Sequence, residues 1–150
     1  MTAGDPVFVD TNILVYANTA TAPLRLEAQA ALQSYSAAAA GLWISRQILR
    51  EYLATLSRIQ SFSVPVPATT LTADVIRFQS QFRIAEDGPT VTSNLLTLLR
   101  SIPIGGKQVH DANIVATMQA HGLRRLLTHN TADFARFGSL IQIEPLVPSP

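Results

Sequence analysis

Apolar residues along this chain follow two patterns that alternate. Short apolar runs, residues 7–9, 42–44 and 126–128 (the last of which ends in a threonine), are typical of strands that are buried on both faces of a sheet. Between these runs, apolar residues recur at intervals of three and four, which is the spacing of a helix with one buried face. The alternation predicts a central, mainly parallel sheet with helices on both sides, a three-layer α/β/α sandwich.

Caps and helix breakers set the expected boundaries of the helices. One helix begins just after the first strand, and the others are predicted at residues 24–40, 46–60, 72–82, 90–99, 109–121 and 131–137. Ser45 is a suitable N-cap for the helix at 46–60, and Gly122 is suited to ending the helix at 109–121. An edge strand at 82–85 and a last strand at 140–143 complete the predicted sheet.

The composition limits the class of protein. A chain of 150 residues fits a single domain, residues 1–150, in which we expect the tail at 147–150 to be frayed. Without cysteine there can be no disulfide, zinc–thiolate site or thiol nucleophile. Neither a signal peptide nor an apolar run long enough to span a bilayer is visible, so we expect a cytoplasmic protein without a membrane partner.

Three acidic residues stand at positions that face the predicted interior. Asp10 follows the first strand directly, at the end of a sheet where ligands collect in α/β proteins. Glu51 borders the inner face of its helix, and Asp111 begins the apolar stripe of another helix. Each also has a simpler interpretation, as a helix cap, an exposed ion pair or a partner of the helix dipole. Six further acids fall at termini, caps or exposed faces; these are Asp5, Glu27, Asp74, Glu86, Asp87 and Glu144.

The three acids can converge at one edge of a parallel sheet. Carboxylates that meet there raise one another's pKa unless a cation neutralises them. Mg²⁺ and Mn²⁺ are the ions that prefer carboxylate oxygens and water. Such an ion lowers the pKa of bound water and shields a phosphodiester, which is how metal-dependent nucleases work. No serine–histidine–acid triad, P-loop or GxGxxG motif competes with this interpretation.

Four blocks follow one another in order and span essentially the whole chain: VFVDTNILVY, the helix from Ser45 to Glu51, GGKQVHDANIVATMQAHG and LLTHNTADFARF. Together they resemble the PIN-domain family, in particular the VapC-type toxins of bacterial toxin–antitoxin pairs. The resemblance implies a magnesium-dependent endoribonuclease that cuts structured RNA, is usually a homodimer and is silenced by a cognate antitoxin.

The resemblance also implies a role for individual residues. Asp10 and Asp111 correspond to the main metal ligands, and Glu51 corresponds to the acid of the second block. Asn12 is expected to support the first aspartate by hydrogen bonding. Thr128 matches the family's threonine at the end of a strand.

The chain departs from the family pattern at the fourth acidic position. Asn130 stands where an aspartate is common, and Asp133 follows three residues later. A neutral amide binds Mg²⁺ more weakly than a carboxylate does, so either residue can fill this position and the number of metal ions stays open. The departure also leaves an alternative function, a catalytically weak PIN-like module that binds RNA or protein without cutting.

A phosphotransfer domain, either a haloacid-dehalogenase-type phosphatase or a receiver domain, would also place an aspartate after an apolar strand. The phosphatase requires a second carboxylate two residues later, where this chain has Asn12. The receiver requires a lysine at the end of a late strand, but Lys107, the only lysine, precedes a helix. Divalent-metal-dependent RNA cleavage, with EDTA as the control, separates these alternatives.

The sequence suggests three contact surfaces. The net charge is only +1, so RNA must be bound by a local basic rim, which we expect to include Arg46, Arg50, Lys107, His110, His129 and Arg136. Charged residues make up only 14% of the chain, and we expect the apolar helices at 24–40 and 46–60 to form a groove for an antitoxin segment. A two-fold homodimer is expected on a face with Phe78, Phe82 and the helix after Pro89.

Overall fold

The computed structural model of the protein describes residues 4–148, and their strands form one parallel sheet in the order β3-β2-β1-β4-β5. The strands are β1 (Val7–Val9), β2 (Leu42–Ser45), β3 (Arg83–Ala85), β4 (Arg125–Thr128) and β5 (Gln142–Pro145). The first strand of the chain therefore lies in the centre of the sheet. All three of its residues are completely buried, which is why its sequence is apolar without alternation.

Helices cover both sides of the sheet, and the predicted three-layer α/β/α fold is confirmed. They are α1 (Thr11–Asn18), α2 (Arg25–Ala37), α3 (Arg46–Leu56), α4 (Ala68–Gln81), α5 (Pro89–Ser101), α6 (Gln108–Ala120) and α7 (Thr131–Phe134), with a 3₁₀ turn at Ala135–Phe137. Within residues 4–148, no helix is both long enough and apolar enough to cross a membrane.

Two predicted helices end earlier than expected. The helix that was predicted at 24–40 ends at Ala37, because Ala39 adopts a left-handed conformation with φ of 59° and turns the chain before Gly41. The helix predicted at 46–60 ends at Leu56. Ile59, which continues the apolar spacing of this predicted helix, is 74% exposed. Apolar spacing alone therefore overestimated both helices.

Two further boundaries also differ from the prediction. Helix α4 begins at Ala68, directly after Pro67, because the Pro67 carbonyl accepts the first backbone hydrogen bonds of the helix. The last strand begins at Gln142 rather than at residue 140, because the Leu140 and Ile141 amides donate to the Phe137 carbonyl and continue the preceding turn. The expectation of a frayed tail falls partly on residues 149–150, which lie outside the described residues.

The predicted dimer face is wrong in its two phenylalanines. Phe78 is 1% exposed and Phe82 is 8% exposed, so both rings belong to the core. Phe78 packs edge-to-face against Tyr52, with ring centroids 4.9 Å apart, and also contacts Phe82. Other large apolar side chains are exposed in the described part of the chain; these are Leu26, Ile59, Val64, Ile76, Leu96 and Leu99.

Candidate active site

The site is built where β1 and β4 end side by side. The backbone amide of Asp10 donates to the Leu127 carbonyl (3.0 Å), so the two strands stay paired up to the residue that follows β1. Asp10 is 6% exposed, and Thr128, the last residue of β4, is completely buried. Both side chains consequently sit at the carboxyl edge of the sheet, as the sequence predicted for Asp10.

Both carboxylate oxygens of Asp10 are oriented by hydrogen bonds. The Thr11 amide donates to Oδ1 (2.8 Å). The other oxygen, Oδ2, accepts hydrogen bonds from Asn12 Nδ2 (3.0 Å) and from Thr128 Oγ1 (2.7 Å). The expected hydrogen bond from Asn12 to the first aspartate is therefore present in the structure.

The donors around Asp10 are themselves held in place. The Asn130 amide donates to Thr128 Oγ1 (3.0 Å), which leaves the hydroxyl hydrogen of Thr128 directed to Asp10. The His129 amide donates to Asn12 Oδ1 (2.9 Å), which turns the amide nitrogen of Asn12 toward the carboxylate. The backbone after β4 thus fixes the orientation of both side chains.

Glu51 reaches the same place from helix α3. Ser45 caps this helix as predicted, since its Oγ accepts a hydrogen bond from the Ile48 amide. Thr11 Oγ1 lies 3.4 Å from Glu51 Oε1, while the amide of the same threonine donates to Asp10. Thr11 therefore contacts two of the three predicted acids.

Asp111, in the first turn of α6, is positioned by an amide network that the sequence did not reveal. Gln47 is 6% exposed and donates through Nε2 to the His110 carbonyl (2.8 Å). Asn113 donates to Gln47 Oε1 (2.8 Å) and to Asp87 Oδ2 (3.3 Å). These bonds tie the start of α6 to α3, the helix that carries Glu51.

The three predicted acids line one open cleft of about 380 Å³. Asp10, Glu51 and Asp111 share its wall with Asn12 and Asn130. Of the remaining predicted site residues, Thr128 lies behind Asp10 in the core, and Asp133 is exposed outside the wall. Its charge still reaches the site, because it raises the pKa of both Asp10 and Asp111.

All three carboxyl groups in the cleft have raised pKa values. Burial raises the pKa of Asp10, and its hydrogen bonds oppose this effect only in part. Burial and then the charge of Asp10 raise the pKa of Glu51 to about 7. The same two causes, in the same order, raise the pKa of Asp111 to about 6. Accumulated negative charge at this site is therefore unfavourable unless a cation or protons compensate it.

The raised pKa values predict that stability without metal falls as the pH rises. Glu51 loses its proton near pH 4.5 in the unfolded chain but only near pH 7 in the folded protein. Between these two pH values the folded state therefore binds this proton more tightly than the unfolded state does. Its contribution to the free energy of unfolding is present below pH 4.5 and is lost as the pH passes through 7. The free energy of unfolding of the wild type should therefore decrease as the pH rises through 7. We expect this decrease to be smaller in Glu51→Gln by about 1–2 kcal/mol, after allowance for solvent screening of this partly exposed group.

Urea unfolding at pH 5 and pH 8 in EDTA measures this effect, with Glu27→Gln on the exposed side of α2 as the matched control. If the free energy of unfolding had the same pH dependence in the wild type and in both variants, the raised pKa of Glu51 would be contradicted.

Several cleft residues were not recognised in the sequence. Tyr16, Arg58, Gln60 and Phe62 also line the cleft. Tyr16 lies one helical turn after Asn12, so helical spacing could have found it. The other three come from the end of α3 and the following loop, which has no periodic pattern to place them.

The predicted basic rim is only partly at the site. Arg46 forms an ion pair with Glu86 (2.8 Å) and does not line the cleft. Arg136 and His110 are close enough for their charges to lower the pKa of Asp111, although burial and neighbouring acids outweigh them. Arg58 is the basic side chain in the cleft wall itself.

Comparison with known sequences and structures places the chain in a family and supports its fold. The profile of the PIN domain family matches residues 7–140. No curated protein matches the sequence.

The fold is similar to that of solved toxin–antitoxin proteins. One is a toxin–antitoxin complex from Klebsiella pneumoniae, with 22% identity over 95% of this chain and 99% of that chain and a TM-score of 0.68. A second is VapBC2 from Rickettsia felis bound to a DNA fragment from its promoter, with 22% identity, 93% and 97% coverage and a TM-score of 0.66. A third is VapC20 of Mycobacterium tuberculosis, a sarcin–ricin loop cleaving toxin, with 16% identity, 93% and 99% coverage and a TM-score of 0.68.

Proposed function

The chain belongs to the PIN domain family, and on this premise we propose that it is a metal-dependent endoribonuclease and the toxin of a toxin–antitoxin pair. The observation that carries the proposal is the shared cleft of Asp10, Glu51 and Asp111. These are the residues that correspond to the family's acids, and they come from three segments far apart in the sequence. A merely structural role would not require three acids with raised pKa values in one open cleft.

The donors in the cleft fit Mg²⁺ or Mn²⁺. Among residues 4–148, no group of three or more His, Asp or Glu side chains is arranged to hold a metal ion. Mg²⁺ does not need one, because it usually keeps several waters and uses one or two carboxylates together with substrate phosphate. Asp10 and Asp111 are the proposed ligands, with Glu51 as a third acid. When bound, the ion would supply charge neutralisation and Lewis acidity at the phosphodiester.

The chain's own residues prepare this site before substrate arrives. Thr128, Asn12 and the Thr11 amide hold the Asp10 carboxylate in one orientation. The hydrogen bond from Gln47 to the His110 carbonyl fixes the turn that carries Asp111. A carboxyl of raised pKa, such as Glu51, can hold or release a proton near neutral pH beside the reacting phosphate.

Cleavage of a labelled RNA mixture tests the proposal. We expect internal cuts in Mg²⁺ or Mn²⁺, no cuts in EDTA, and recovery when the ion is added back. Cleavage should depend on the ion. The ion should also raise the thermal stability of the protein, because a ligand that binds only the folded state stabilises it. RNA binding without cleavage in either ion would instead support the catalytically weak binding module.

We also propose two protein partners, an antitoxin segment and a second copy of the chain. An antitoxin segment in the groove beside α2 and α3 would bring a basic side chain to the carboxylates and compete with the metal. For the homodimer, α5 remains as the candidate face, because it exposes Leu96 and Leu99. Light scattering should give twice the chain mass, and a monomer at micromolar concentration would contradict the dimer. A small adjacent gene whose product suppresses cleavage would identify the antitoxin.

A further inference from the structure

Three aromatic side chains form a continuous wall beside the acids. Tyr16 contacts the Phe62 ring at 6.3 Å between centroids and the His129 ring at 5.8 Å, in both cases edge to face. Tyr16 and Phe62 are only partly buried and line the same cleft as the three carboxylates. We call Tyr16, Phe62 and His129 the aromatic wall; two of its rings, Tyr16 and Phe62, are partly exposed in the cleft rather than enclosed in the core.

The wall is held rigidly. Tyr16 lies one turn after Asn12 on α1, and His129 donates its backbone amide to that asparagine. Phe62 lies in a tight turn in which Gln60 and Ser63 exchange two backbone hydrogen bonds, and Thr21 Oγ1 donates to the Phe62 carbonyl. The rings are therefore ordered before a ligand binds, which lowers the entropic cost of packing a flat group against them.

The surroundings of the wall are those of a site for single-stranded nucleic acid. Arg58 and Gln60 line the cleft near the rings and supply a cation and an amide. Burial raises the pKa of Tyr16, so its phenol remains neutral beside a polyanion. Proteins that bind single-stranded nucleic acid stack unpaired bases on aromatic side chains and often place an arginine nearby. A protein segment could also cover the rings. Because the rings share a cleft with the carboxylates that we propose act on the phosphate, a nucleic acid is the favoured ligand.

We propose that Tyr16 and Phe62 form a stacking site for an unpaired nucleobase next to the phosphate that is cut. The substrate class is accordingly RNA that is single-stranded, or in a loop, at that nucleotide. Arg58 contacts the backbone of the same strand. The proposal rests on the proposed nuclease function for the position of the phosphate, but base stacking can be measured without cleavage.

Stacking is measured with an RNA single strand of about 12 nucleotides, long enough for a site of this kind, with 2-aminopurine at its centre. The protein is the full chain with Asp10→Asn, and EDTA is present, so that cleavage is negligible during the titration. We expect quenching of 2-aminopurine on binding, loss of quenching in Phe62→Leu, and recovery in Phe62→Tyr. Because stacking on an aromatic side chain contributes about 1–3 kcal/mol per base, Phe62→Leu should weaken binding about 5- to 150-fold.

Tyr35→Leu is the matched control, because this half-buried tyrosine packs on Arg125 away from the cleft. A second measurement needs no variant: an abasic nucleotide in place of 2-aminopurine should weaken binding of the Asp10→Asn protein to the same extent. Binding without quenching, or equal affinity for the abasic strand, would overturn the stacking site. An effect of Phe62→Leu on antitoxin affinity alone would also overturn it and would identify the wall as a protein-docking surface.

The two proposals fail separately. If the wild type cuts RNA in Mg²⁺ but no base is quenched, the stacking site is wrong and the nuclease stands. If 2-aminopurine is quenched but no RNA is cut in Mg²⁺ or Mn²⁺, the nuclease is wrong and the stacking site stands.

Discussion

Asp10→Asn is expected to reduce RNA cleavage at saturating Mg²⁺ by more than about 100-fold, while the protein remains folded. Loss of a group that only supports a metal ligand typically costs 10- to 100-fold, and Asp10 is proposed as a ligand itself. The substitution removes one negative charge from the buried end of the cleft. The new amide oxygen can keep the two hydrogen bonds that Oδ2 accepts from Asn12 and Thr128, but the amide nitrogen then replaces Oδ1 and loses the hydrogen bond from the Thr11 amide. Relief of the buried charge and loss of one hydrogen bond oppose each other, so the free energy of unfolding should change by only about 1 kcal/mol.

Single-turnover cleavage rates and thermal unfolding of the same preparations measure these two effects. Glu27→Gln removes an exposed charge on α2 and should leave both measurements unchanged. Cleavage by the Asp10→Asn protein at the wild-type rate would remove Asp10 from the catalytic site.

Thr128→Val is expected to lower cleavage about 10- to 100-fold without any change in the charge of the site. Valine has nearly the same shape as threonine, but it can neither donate to Asp10 Oδ2 nor accept from the Asn130 amide. The carboxylate then loses a buried donor, its pKa rises further and its orientation is less restricted. We also expect a loss of about 1–3 kcal/mol in unfolding free energy, since the buried Asp10 carboxylate and the partly buried backbone amide of Asn130 each lose a partner.

Thr128→Ser separates positioning from packing. Serine keeps the hydroxyl and loses only a methyl group, so it should restore cleavage at saturating metal while remaining less stable than the wild type. For cleavage, Thr128→Val should also need a higher concentration of Mg²⁺ than Thr128→Ser does. If valine and serine variants cleave equally well, the hydroxyl has no positioning role.

The sequence alone determined the layered fold and the identity of the acids in the cleft. All three residues of β1 are completely buried and apolar, so this strand was visible as an uninterrupted apolar run that ends at Asp10. Helical spacing placed Asp111 at the start of a buried stripe, and Ile114, Val115 and Met118 are indeed buried below it. These signals are strong because each depends on a periodic relation between neighbouring residues of one element.

Spacing was less informative where an element ends. Ile59 continues the apolar period of α3 but lies beyond its last turn and is exposed, while Phe78 and Phe82 read equally well as a dimer face and as core. A period indicates which residues share a face of a helix. It does not indicate what covers that face, because burial depends on the packing of distant segments.

Only the tertiary structure decided how the acids are held and which residues surround them. The hydrogen bond from Thr128 to Asp10 joins residues 118 positions apart, and that from Asn113 to Gln47 joins residues 66 positions apart. Arg58 and Phe62 reach the cleft from an irregular segment after α3. Loops carry no period, and side-chain hydrogen bonds between distant segments form only after the sheet has aligned the strand ends. Sequence patterns therefore identified the charges of this site, whereas folding determined their orientation and their pKa values.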